Sequence, residues 1–215
     1  MSSDPEIHSL RVNYKHKPLT EESLKSDPIA QFRLWFDEAR ASGVPEPNAM
    51  TLGTADRSGR VSCRTVLLKA YDDHGFVFFT NYGSRKAQQI AENPRAALLF
   101  PWVALARQIE IAGPDEKISA AESLAYFMSR PIGSRLGAWV SDQSQVISSR
   151  SVLLDKFKEL KNKFADGDIP KPDFWGGYRV IPETIEFWQG GGDRLHDRFL
   201  YAQKNRTWSH VRLSP

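Results

Sequence analysis

The residues of this chain that suit chemistry occur in clusters, and the densest cluster lies near the C-terminus. Glu186–Arg198 reads EFWQGGGDRLHDR and contains two aromatics, three consecutive glycines, two arginines and a histidine. Glycines allow the backbone to turn tightly or to approach a ligand closely. On a regular strand Arg194, His196 and Arg198 point to one face, which suits an anionic, planar ligand. A hairpin that leads into a solvated edge strand is the alternative.

A second cluster, Thr80–Lys86 with the sequence TNYGSRK, places two cations at the start of a predicted helix. Ser84 is the expected N-cap, so Arg85 and Lys86 fall in the first turn. Cations there oppose the helix dipole, whereas the free backbone N–H groups of the same turn bind anions. The pattern favours a bound phosphate, and two solvated surface cations are the alternative.

A third cluster, Arg64–Lys69 with the sequence RTVLLK, lies on a predicted strand. Arg64 and Lys69 face opposite sides of a regular strand. They therefore suit two different anions, or one anion if a bulge intervenes. Surface side chains whose stems cover apolar neighbours are the ordinary alternative.

A fourth cluster, Tyr126–Ser134, contains Tyr126 and Arg130 four positions apart, on one face of a helix that Pro131 ends. Arginine, tyrosine and serine side chains at a helix end are typical of a phosphate site. The four clusters together predict several phosphate contacts.

Motifs for other chemistries are absent from the sequence. It has no G-x-x-x-x-G-K-[ST], G-x-G-x-x-G, CxxC, HExxH or G-x-S-x-G motif, and its five histidines are scattered. We therefore expect no metal site, and we expect an organic cofactor to carry the chemistry if the protein is an enzyme. The one cysteine, Cys63, excludes an intrachain disulfide and indicates a reducing, cytoplasmic compartment. Its position in a predicted strand favours a small core residue over a nucleophile.

The composition is that of a soluble globular protein with room for one substantial domain. Its 215 residues are 40% hydrophobic and 26% charged, and the net charge is +3. So mild a charge is weak support for nucleic-acid binding. The apolar stretch Ala96–Ala106 is interrupted by Pro101 and is too short to span a membrane, and the N-terminus lacks a secretory signal. We therefore expect neither a nucleic-acid nor a membrane partner.

Hydrophobic periodicity divides the chain into an arm and a mainly β domain. Residues 1–26 are polar and are predicted to be a mobile arm, and residues 27–215 are predicted to form a single domain. Asp27-Pro28 opens a helix that Ser42-Gly43 ends. The remaining predicted helices are Arg85–Glu92, Ala120–Ser129 and Ser149–Phe164. The predicted strands are Met50–Ala55, Val61–Lys69, Phe76–Thr80, Ala96–Phe100, Arg107–Lys117, Gly177–Ile181, Glu183–Trp188, Arg198–Tyr201 and Trp208–Leu213. Short antiparallel strands with inserted helices suggest a barrel decorated by helices.

The clusters taken together resemble the pyridoxine/pyridoxamine 5′-phosphate oxidase family, whose members are FMN enzymes of vitamin B6 metabolism. The matching segments follow the family's order over about residues 11–215: Arg64–Lys69, Phe79–Lys86, Arg107-Gln108, Tyr126–Arg130, Gly137–Ser144, Phe174–Gly177 and Glu186–Arg198. Each segment alone is weak, whereas the combination of Phe-Trp-Gln-Gly with Arg-Leu-His-Asp-Arg is specific.

The resemblance implies a split β-barrel fold and a homodimer with FMN at the subunit interface. It implies oxidation of pyridoxine and pyridoxamine 5′-phosphates to pyridoxal 5′-phosphate by hydride transfer from C4′ to flavin N5, with O₂ reduced to H₂O₂. The FMN phosphate would be bound by Arg64, Arg85 and Lys86. The rest of the cofactor would contact Arg64, Thr65, Val66, Leu67, Leu68, Lys69, Phe79, Thr80, Gln108, Gln143, Ser144, Trp188 and Arg198.

The resemblance also assigns the substrate. Its phosphate would be bound by Lys69, Tyr126, Arg130 and Ser134. Arg194 and His196 would lie over the pyridine ring as catalytic groups, and Arg11 and Tyr14 would close a lid. Arg194 and Arg198 then contact different ligands, so the glycines are expected to reorient the chain between them.

The sequence departs from the family pattern at two positions and leaves other functions open. Arg135 stands where a glutamine is usual, and Gln145 stands where a serine often follows Gln-Ser. A related split-barrel oxidase of phenazine biosynthesis fits less well, because Lys69, Tyr126 and Arg130 favour the vitamin B6 substrate. A flavin enzyme that uses NAD(P)H and a small barrel that binds nucleic acid are the remaining alternatives.

Overall fold

The computed structural model describes residue 10, residues 13–14 and residues 17–215. Within this part the chain forms five α-helices: α1 (Pro28–Ala41), α2 (Arg85–Glu92), α3 (Ala120–Ser129), α4 (Ile132–Val140) and α5 (Arg150–Lys163). Short 3-10 helices lie at Glu21–Ser23, Val103–Leu105 and Gly192–Arg194.

The strands are short and antiparallel. They are β1 (Ala49–Ala55), β2 (Val61–Leu67), β3 (Ala70–Asp72), β4 (Gly75–Asn81), β5 (Arg95–Trp102), β6 (Arg107–Lys117), β7 (Trp175–Val180), β8 (Thr184–Gln189), β9 (Asp197–Lys204) and β10 (Thr207–Leu213). The prediction of a mainly β chain with inserted helices is confirmed.

The chain groups into two compact units. The first comprises the described residues up to Pro47 together with Leu99–Ile111 and Glu183–Pro215, and the second comprises Asn48–Leu98 and Ala112–Pro182. Strands β5 and β6 contribute residues to both units. The predicted arm of residues 1–26 and the single domain of residues 27–215 stay predictions.

The first unit is built on the meander β8-β9-β10, in which Trp188 lies opposite Arg198. Helix α1 begins where Asp27 accepts hydrogen bonds from the backbone of Ile29 and Ala30, with Pro28 at the first position. One face of α1 is buried through aromatic side chains, and Trp35 meets Phe187 edge to face with ring centroids 5.3 Å apart. The helix start and its buried face are as the sequence predicts.

The second unit pairs β1 with β2 and β4 with both β3 and β7. Helices α3 and α4 contribute Phe127, Leu136 and Ala138 to a buried cluster with Ile169 and Trp175. Because the cluster fixes both helices, it also fixes the side chains that these helices present on their other faces.

The structure corrects three expectations. The segment before Arg198 is not a regular strand, because β9 begins only at Asp197 and Arg194 has a positive φ of 66°. Helix α4 and strand β3 are additional elements. Cys63 is exposed and is not a core residue, because burial alternates along β2 and Cys63 falls on its exposed positions.

Candidate functional site

The second unit contains a cavity of about 760 Å³, a size typical of small-molecule sites. It brings together most of the residues that the sequence analysis selected. The predicted residues that line it are Arg64, Thr65, Val66, Leu67, Lys69, Phe79, Thr80, Arg85, Lys86, Tyr126, Arg130, Ser134, Gln143 and Ser144. Leu68 is not among the lining residues, and its side chain is buried in the core.

Strand β2 carries Arg64 into this cavity. Nη1 of Arg64 donates to the carbonyl oxygen of Leu52 at 3.0 Å and to Thr54 Oγ1 at 2.7 Å, both on β1. Partial burial lowers the pKa of Arg64. Lys69 lies beyond the end of β2 and lines the same cavity. The cavity thus receives both basic residues of this segment.

Lys86, in the first turn of α2, has a buried side chain that is only 8% exposed. Its Nζ donates to Thr80 Oγ1 at 3.2 Å and to Gln143 Oε1 at 3.1 Å. Burial, and secondarily the positive charge of Arg64, lowers the pKa of Lys86 to about 8. Its ammonium group is therefore held by neutral oxygens in a place that disfavours its charge.

The start of α2 adds backbone donors to the cavity. Ser84 is the N-cap residue, as predicted, but its side chain makes no capping hydrogen bond. The backbone N–H of Arg85 donates to Ser144 Oγ at 3.2 Å. Ser144 has a positive φ of 73°, so it holds a strained conformation at the cavity wall. The first N–H groups of a helix have no acceptor within the helix, and the first turn of α2 adds the cationic side chains of Arg85 and Lys86. This combination suits an anion.

The other side of the cavity is formed where α3 ends. Arg130 is the C-cap residue of α3, and its guanidinium carbon lies 4.7 Å from the ring centroid of Trp175. Tyr126 stacks on Phe79 at a centroid distance of 3.9 Å. Burial lowers the pKa of Arg130, and its buried Nη1 has no hydrogen-bond acceptor among the described residues. Such an unpaired buried donor is costly unless a ligand supplies the acceptor.

The charge of the cavity is not balanced within the described part of the chain. No carboxylate there lies within 4 Å of the basic groups of the lining residues Arg64, Lys69, Arg85, Lys86 and Arg130. Basic groups in so concentrated an arrangement favour an anionic ligand such as a phosphate.

The remaining predicted residues belong to the first unit, where Trp188, His196 and Tyr14 form an aromatic group. The ring centroids of Trp188 and His196 are 4.7 Å apart, and Tyr14 lies 6.1 Å from each. The backbone N–H of Gly191 donates to His196 Nδ1 at 3.1 Å. When the imidazole is neutral, Nδ1 therefore accepts and Nε2 carries the proton.

The glycine-rich turn, residues 190–194, determines the position of Arg194. A Cβ at Gly191 would lie 2.0 Å from the carbonyl oxygen of Leu195, so only glycine fits there. Asp193 and Arg194 both have positive φ values, and the side chain of Arg194 is exposed. Strained backbone of this kind is common at functional sites.

Arg198 and Gln108 complete the predicted set. Arg198 binds Glu186 through two hydrogen bonds of 2.8 and 3.0 Å, and these raise the pKa of Arg198. Gln108 lies on β6 and is half-buried. Arg11 lies outside the described residues, so its predicted role stays a prediction.

Sequence reasoning missed several residues in and beside the cavity. Gln89 is buried beside Arg64, Trp175 packs against Arg130, and Cys63 lines the wall. A clue to Trp175 was available, since it lies in the segment Phe174–Gly177. For Gln89, an amide inside a helix carries no motif, and its contacts depend on residues distant in sequence.

Among the described residues, no group of three or more histidine, cysteine, aspartate or glutamate side chains is arranged to bind a metal ion. In the same part of the chain, every helix is too short or too polar to cross a membrane.

Two family models match the sequence in adjacent regions. A model described as "Pyridoxamine 5'-phosphate oxidase" matches residues 36–164. A model described as "Pyridoxine 5'-phosphate oxidase C-terminal dimerisation region" matches residues 175–215. The two matches together account for most of the chain, including the cavity and the glycine-rich turn.

Relatives of known name are similar over the whole length. The pyridoxine/pyridoxamine 5′-phosphate oxidases of Aliarcobacter butzleri and Rippkaea orientalis are 57% and 56% identical, each over 98% of this chain and 100% of its own length. PhzG from Burkholderia lata, solved in complex with tetrahydrophenazine-1-carboxylic acid, is 31% identical with a TM-score of 0.86, over 92% of this chain and 98% of that chain. This match confirms the predicted split β-barrel fold.

A further solved structure supports the fold alone. It is a pyridoxamine 5′-phosphate oxidase-related, FMN binding protein from Nostoc punctiforme, 18% identical with a TM-score of 0.70. The match covers 89% of this chain and 100% of that chain.

Proposed function

The chain belongs to the pyridoxine/pyridoxamine 5′-phosphate oxidase family, and we propose that it oxidises pyridoxine and pyridoxamine 5′-phosphates to pyridoxal 5′-phosphate with FMN as cofactor. The observation that carries the proposal is the cavity of the second unit, whose cations face no carboxylate among the described residues. Cofactor and substrate both bear a phosphate, so the activity requires two separate sets of cationic donors.

The donor set at the start of α2 fits the phosphate of FMN. Arg64, Arg85 and Lys86 line one wall of the cavity, and the buried ammonium group of Lys86 is bonded only to neutral oxygens among the described residues. Burial, and secondarily the charge of Arg64, lowers the pKa of Lys86, and a phosphate dianion would supply an opposite charge that stabilises its ammonium form. We assign the FMN phosphate to these three residues.

The unpaired Nη1 of Arg130 supports a second phosphate position. Arg130 lines the cavity with Lys69, Tyr126 and Ser134. We assign the phosphate of the substrate to this set, since the planar guanidinium can donate two parallel hydrogen bonds to phosphate oxygens. The stacked rings of Phe79 and Trp175 limit the movement of Tyr126 and Arg130, so the phosphate would be held in a defined place.

When bound, FMN supplies the hydride acceptor at flavin N5 and the route by which O₂ is reduced to H₂O₂. The residues of this chain have to hold the substrate C4′ carbon at reacting distance, and such positioning contributes several kcal/mol to catalysis, on the order of 7–11 kcal/mol in the most favourable cases. We propose that Arg194 and His196 lie over the pyridine ring and that Arg11 and Tyr14 close over the site. The remaining cofactor contacts are proposed for Thr65, Val66, Leu67, Phe79, Thr80, Gln108, Gln143, Ser144, Trp188 and Arg198. For Leu68, whose side chain is buried in the core, we propose only a contact through the backbone.

The match of residues 175–215 to a dimerisation region supports a dimer. We propose a homodimer with FMN at the subunit interface, since the glycine-rich turn and Arg198 belong to that matched region. The small-molecule partners are then the two vitamin B6 phosphates and O₂. The predicted cytoplasmic location and the absence of nucleic-acid and membrane partners remain predictions from the sequence.

An absorption spectrum tests the proposal directly. The purified protein is expected to be yellow, to release FMN on denaturation and to bleach when pyridoxine 5′-phosphate is added without oxygen. Bleaching by NADPH but not by pyridoxine 5′-phosphate would favour a flavin reductase instead. A colourless protein that cannot be reconstituted with FMN would refute the proposed function.

A further inference from the structure

The hydrogen bonds behind Arg64 converge on one buried amide, that of Gln89. Gln89 lies on α2 and is 4% exposed. Its Oε1 accepts from Thr54 Oγ1 at 2.6 Å and from Ser62 Oγ at 2.7 Å, and its Nε2 donates to the carbonyl oxygen of Arg60 at 3.2 Å. Because both ends of the amide are bonded, the Gln89 side chain is held in a single orientation.

This amide also helps to orient the Arg64 guanidinium. Nη1 of Arg64 donates to Leu52 O and Thr54 Oγ1, and Nη2 donates to Ser62 Oγ at 2.5 Å and to Gln89 Oε1 at 3.4 Å. Each of the two terminal nitrogens thus makes two hydrogen bonds, while the Nε–H has no acceptor among the described residues. The guanidinium plane is therefore fixed, with its Nε–H left to donate to a ligand.

We propose that Gln89 is a positioning residue for the cofactor phosphate and that it acts through Arg64. The inference rests on the proposed FMN function. Gln89 accepts from Thr54 and Ser62 and thereby orients the two hydroxyl groups that hold Arg64. No ligand contact of its own is required for this role.

The neutrality of the amide matters as much as its geometry. A carboxylate at position 89 would accept from the same donors, but it would place a negative charge beside the guanidinium of Arg64. That charge would offset the attraction of Arg64 for phosphate at a separation where electrostatic interactions are strong. The amide oxygen instead orients the arginine and leaves its positive charge for the ligand.

A purely structural role for Gln89 makes a different prediction. The amide also connects α2 to β1 and β2, so its loss would loosen the cavity wall for any flavin. Riboflavin lacks the phosphate of FMN but shares its ring and ribityl chain. A role through Arg64 therefore weakens the binding of FMN selectively, whereas a structural role weakens both ligands.

The experiment compares Gln89→Glu with the unchanged protein, both full-length and freed of bound flavin. Each is titrated with FMN and with riboflavin, and quenching of flavin fluorescence gives the dissociation constants. We expect the affinity for FMN to fall at least about tenfold and the affinity for riboflavin to change less than about twofold, because the added charge acts on the phosphate. Equal losses for the two flavins, or an unchanged affinity for FMN, would overturn the inference.

Two further variants keep the test decisive. Gln88→Glu makes the same chemical change at the exposed neighbouring position of α2 and should leave both affinities nearly unchanged. Ser62→Ala removes one hydroxyl of the network at a half-buried position and should weaken FMN binding about threefold or more, but not riboflavin binding. If Gln89→Glu does not fold, an unselective or absent effect of Ser62→Ala overturns the inference. Failure of the unchanged protein to bind FMN would instead refute the proposed function.

Discussion

The paired arginines Arg198 and Arg212 of the first unit and the cavity residue Arg64 of the second unit differ in what faces them. In the first unit, Arg198 is bonded to both oxygens of Glu186, and Arg212 lies 2.6 Å from Asp197. In the cavity of the second unit, Arg64 is held by carbonyl, hydroxyl and amide oxygens. The carboxylate of Glu186 neutralises much of the charge of Arg198 within the fold, whereas the neutral acceptors around Arg64 leave its charge available to a ligand.

Asp115 is an acidic group of the second unit that also lacks a partner among the described residues. This carboxylate lies on β6 in the second unit, and neither of its buried oxygens has a hydrogen-bond partner among the described residues. Burial raises the pKa of Asp115 to about 7. The unpaired charged groups of the second unit thus differ. The cations line a cavity, whereas the carboxyl group of Asp115 is buried and keeps its proton up to about pH 7.

The largest effect is expected for Asp115→Asn, which tests whether the carboxyl group of Asp115 is protonated in the folded protein. A carboxyl group with a folded-state pKa near 7 keeps its proton between about pH 4 and pH 7, whereas the unfolded chain loses it. The contribution of Asp115 to the free energy of unfolding of the wild type therefore falls as the pH rises through that interval, and it is constant above it. From pH 5 to pH 8, we expect the free energy of unfolding of Asp115→Asn to rise relative to wild type by on the order of 2–3 kcal/mol.

Urea unfolding at the two pH values measures this difference. Asp155→Asn is the matched control, since Asp155 is exposed and lies 3.9 Å from Lys158 in a surface ion pair. Loss of this exposed pair should change the free energy of unfolding by only about 0–1 kcal/mol. Parallel behaviour of the two variants would show that Asp115 is ionised in the fold without penalty.

Arg64→Ala tests the claim that an arginine held by neutral acceptors serves a ligand. Loss of a charge-assisted contact to phosphate should reduce the affinity for FMN by about 100-fold, equivalent to about 2.7 kcal/mol. Fluorescence titration of the flavin-free protein gives the constant. Arg60→Ala removes an exposed arginine paired with Asp56 and should leave the affinity unchanged; a similar loss in both variants would contradict a specific role for Arg64.

Arg198→Met tests whether the pair with Glu186 gives Arg198 a structural role in addition to its proposed cofactor contact. The change leaves the carboxylate of Glu186, whose side chain is 15% exposed, without its bidentate partner. We expect the free energy of unfolding to fall by about 2 kcal/mol. Arg40→Met breaks the exposed pair with Asp37 and should cost much less, about 0–1 kcal/mol. Comparable losses in chemical denaturation would remove the distinction between the two kinds of pair.

Arg194→Ala has the smallest expected effect and separates catalysis from cofactor binding. Arg194 is exposed on the glycine-rich turn, and we propose that it holds the substrate ring. Its loss should lower kcat/KM by at least about tenfold, or about 1.4 kcal/mol, while the flavin content stays unchanged. Steady-state kinetics with pyridoxine 5′-phosphate and a flavin absorbance measurement provide both values. Normal turnover would exclude Arg194 from the site.

Local signals in the sequence predicted most of the fold. Asp27 followed by Pro28 marked the start of α1, and the bounds of α2 and α3 were predicted to the residue. Helix α4 was missed, because Gly133 and Gly137 lower its helix propensity and Pro131 suggests a stop. The burial of Cys63 was predicted wrongly, since a strand pattern does not reveal which face is covered.

The parts of the candidate site that depend on residue type could be predicted from the sequence. The parts that depend on hydrogen bonds or ion pairs between residues distant in sequence could not. The cations of the cavity could be selected from their positions at helix ends and on β2. The network around Gln89 could not, because its hydrogen bond with Thr54 joins residues 35 positions apart. The pair of Arg198 with Glu186 forms across β8 and β9, so it becomes visible only once the register of the strands is known.

The single thiol of the chain offers a chemical probe of the cavity. Cys63 is exposed, lines the cavity wall and directly precedes Arg64. A bound flavin phosphate would shield it, so the rate at which iodoacetamide alkylates the protein measures how much of the cavity is occupied. Because the chain has no second cysteine, mass spectrometry of the intact protein reads this occupancy as one added mass, even for variants too weakly coloured for absorbance.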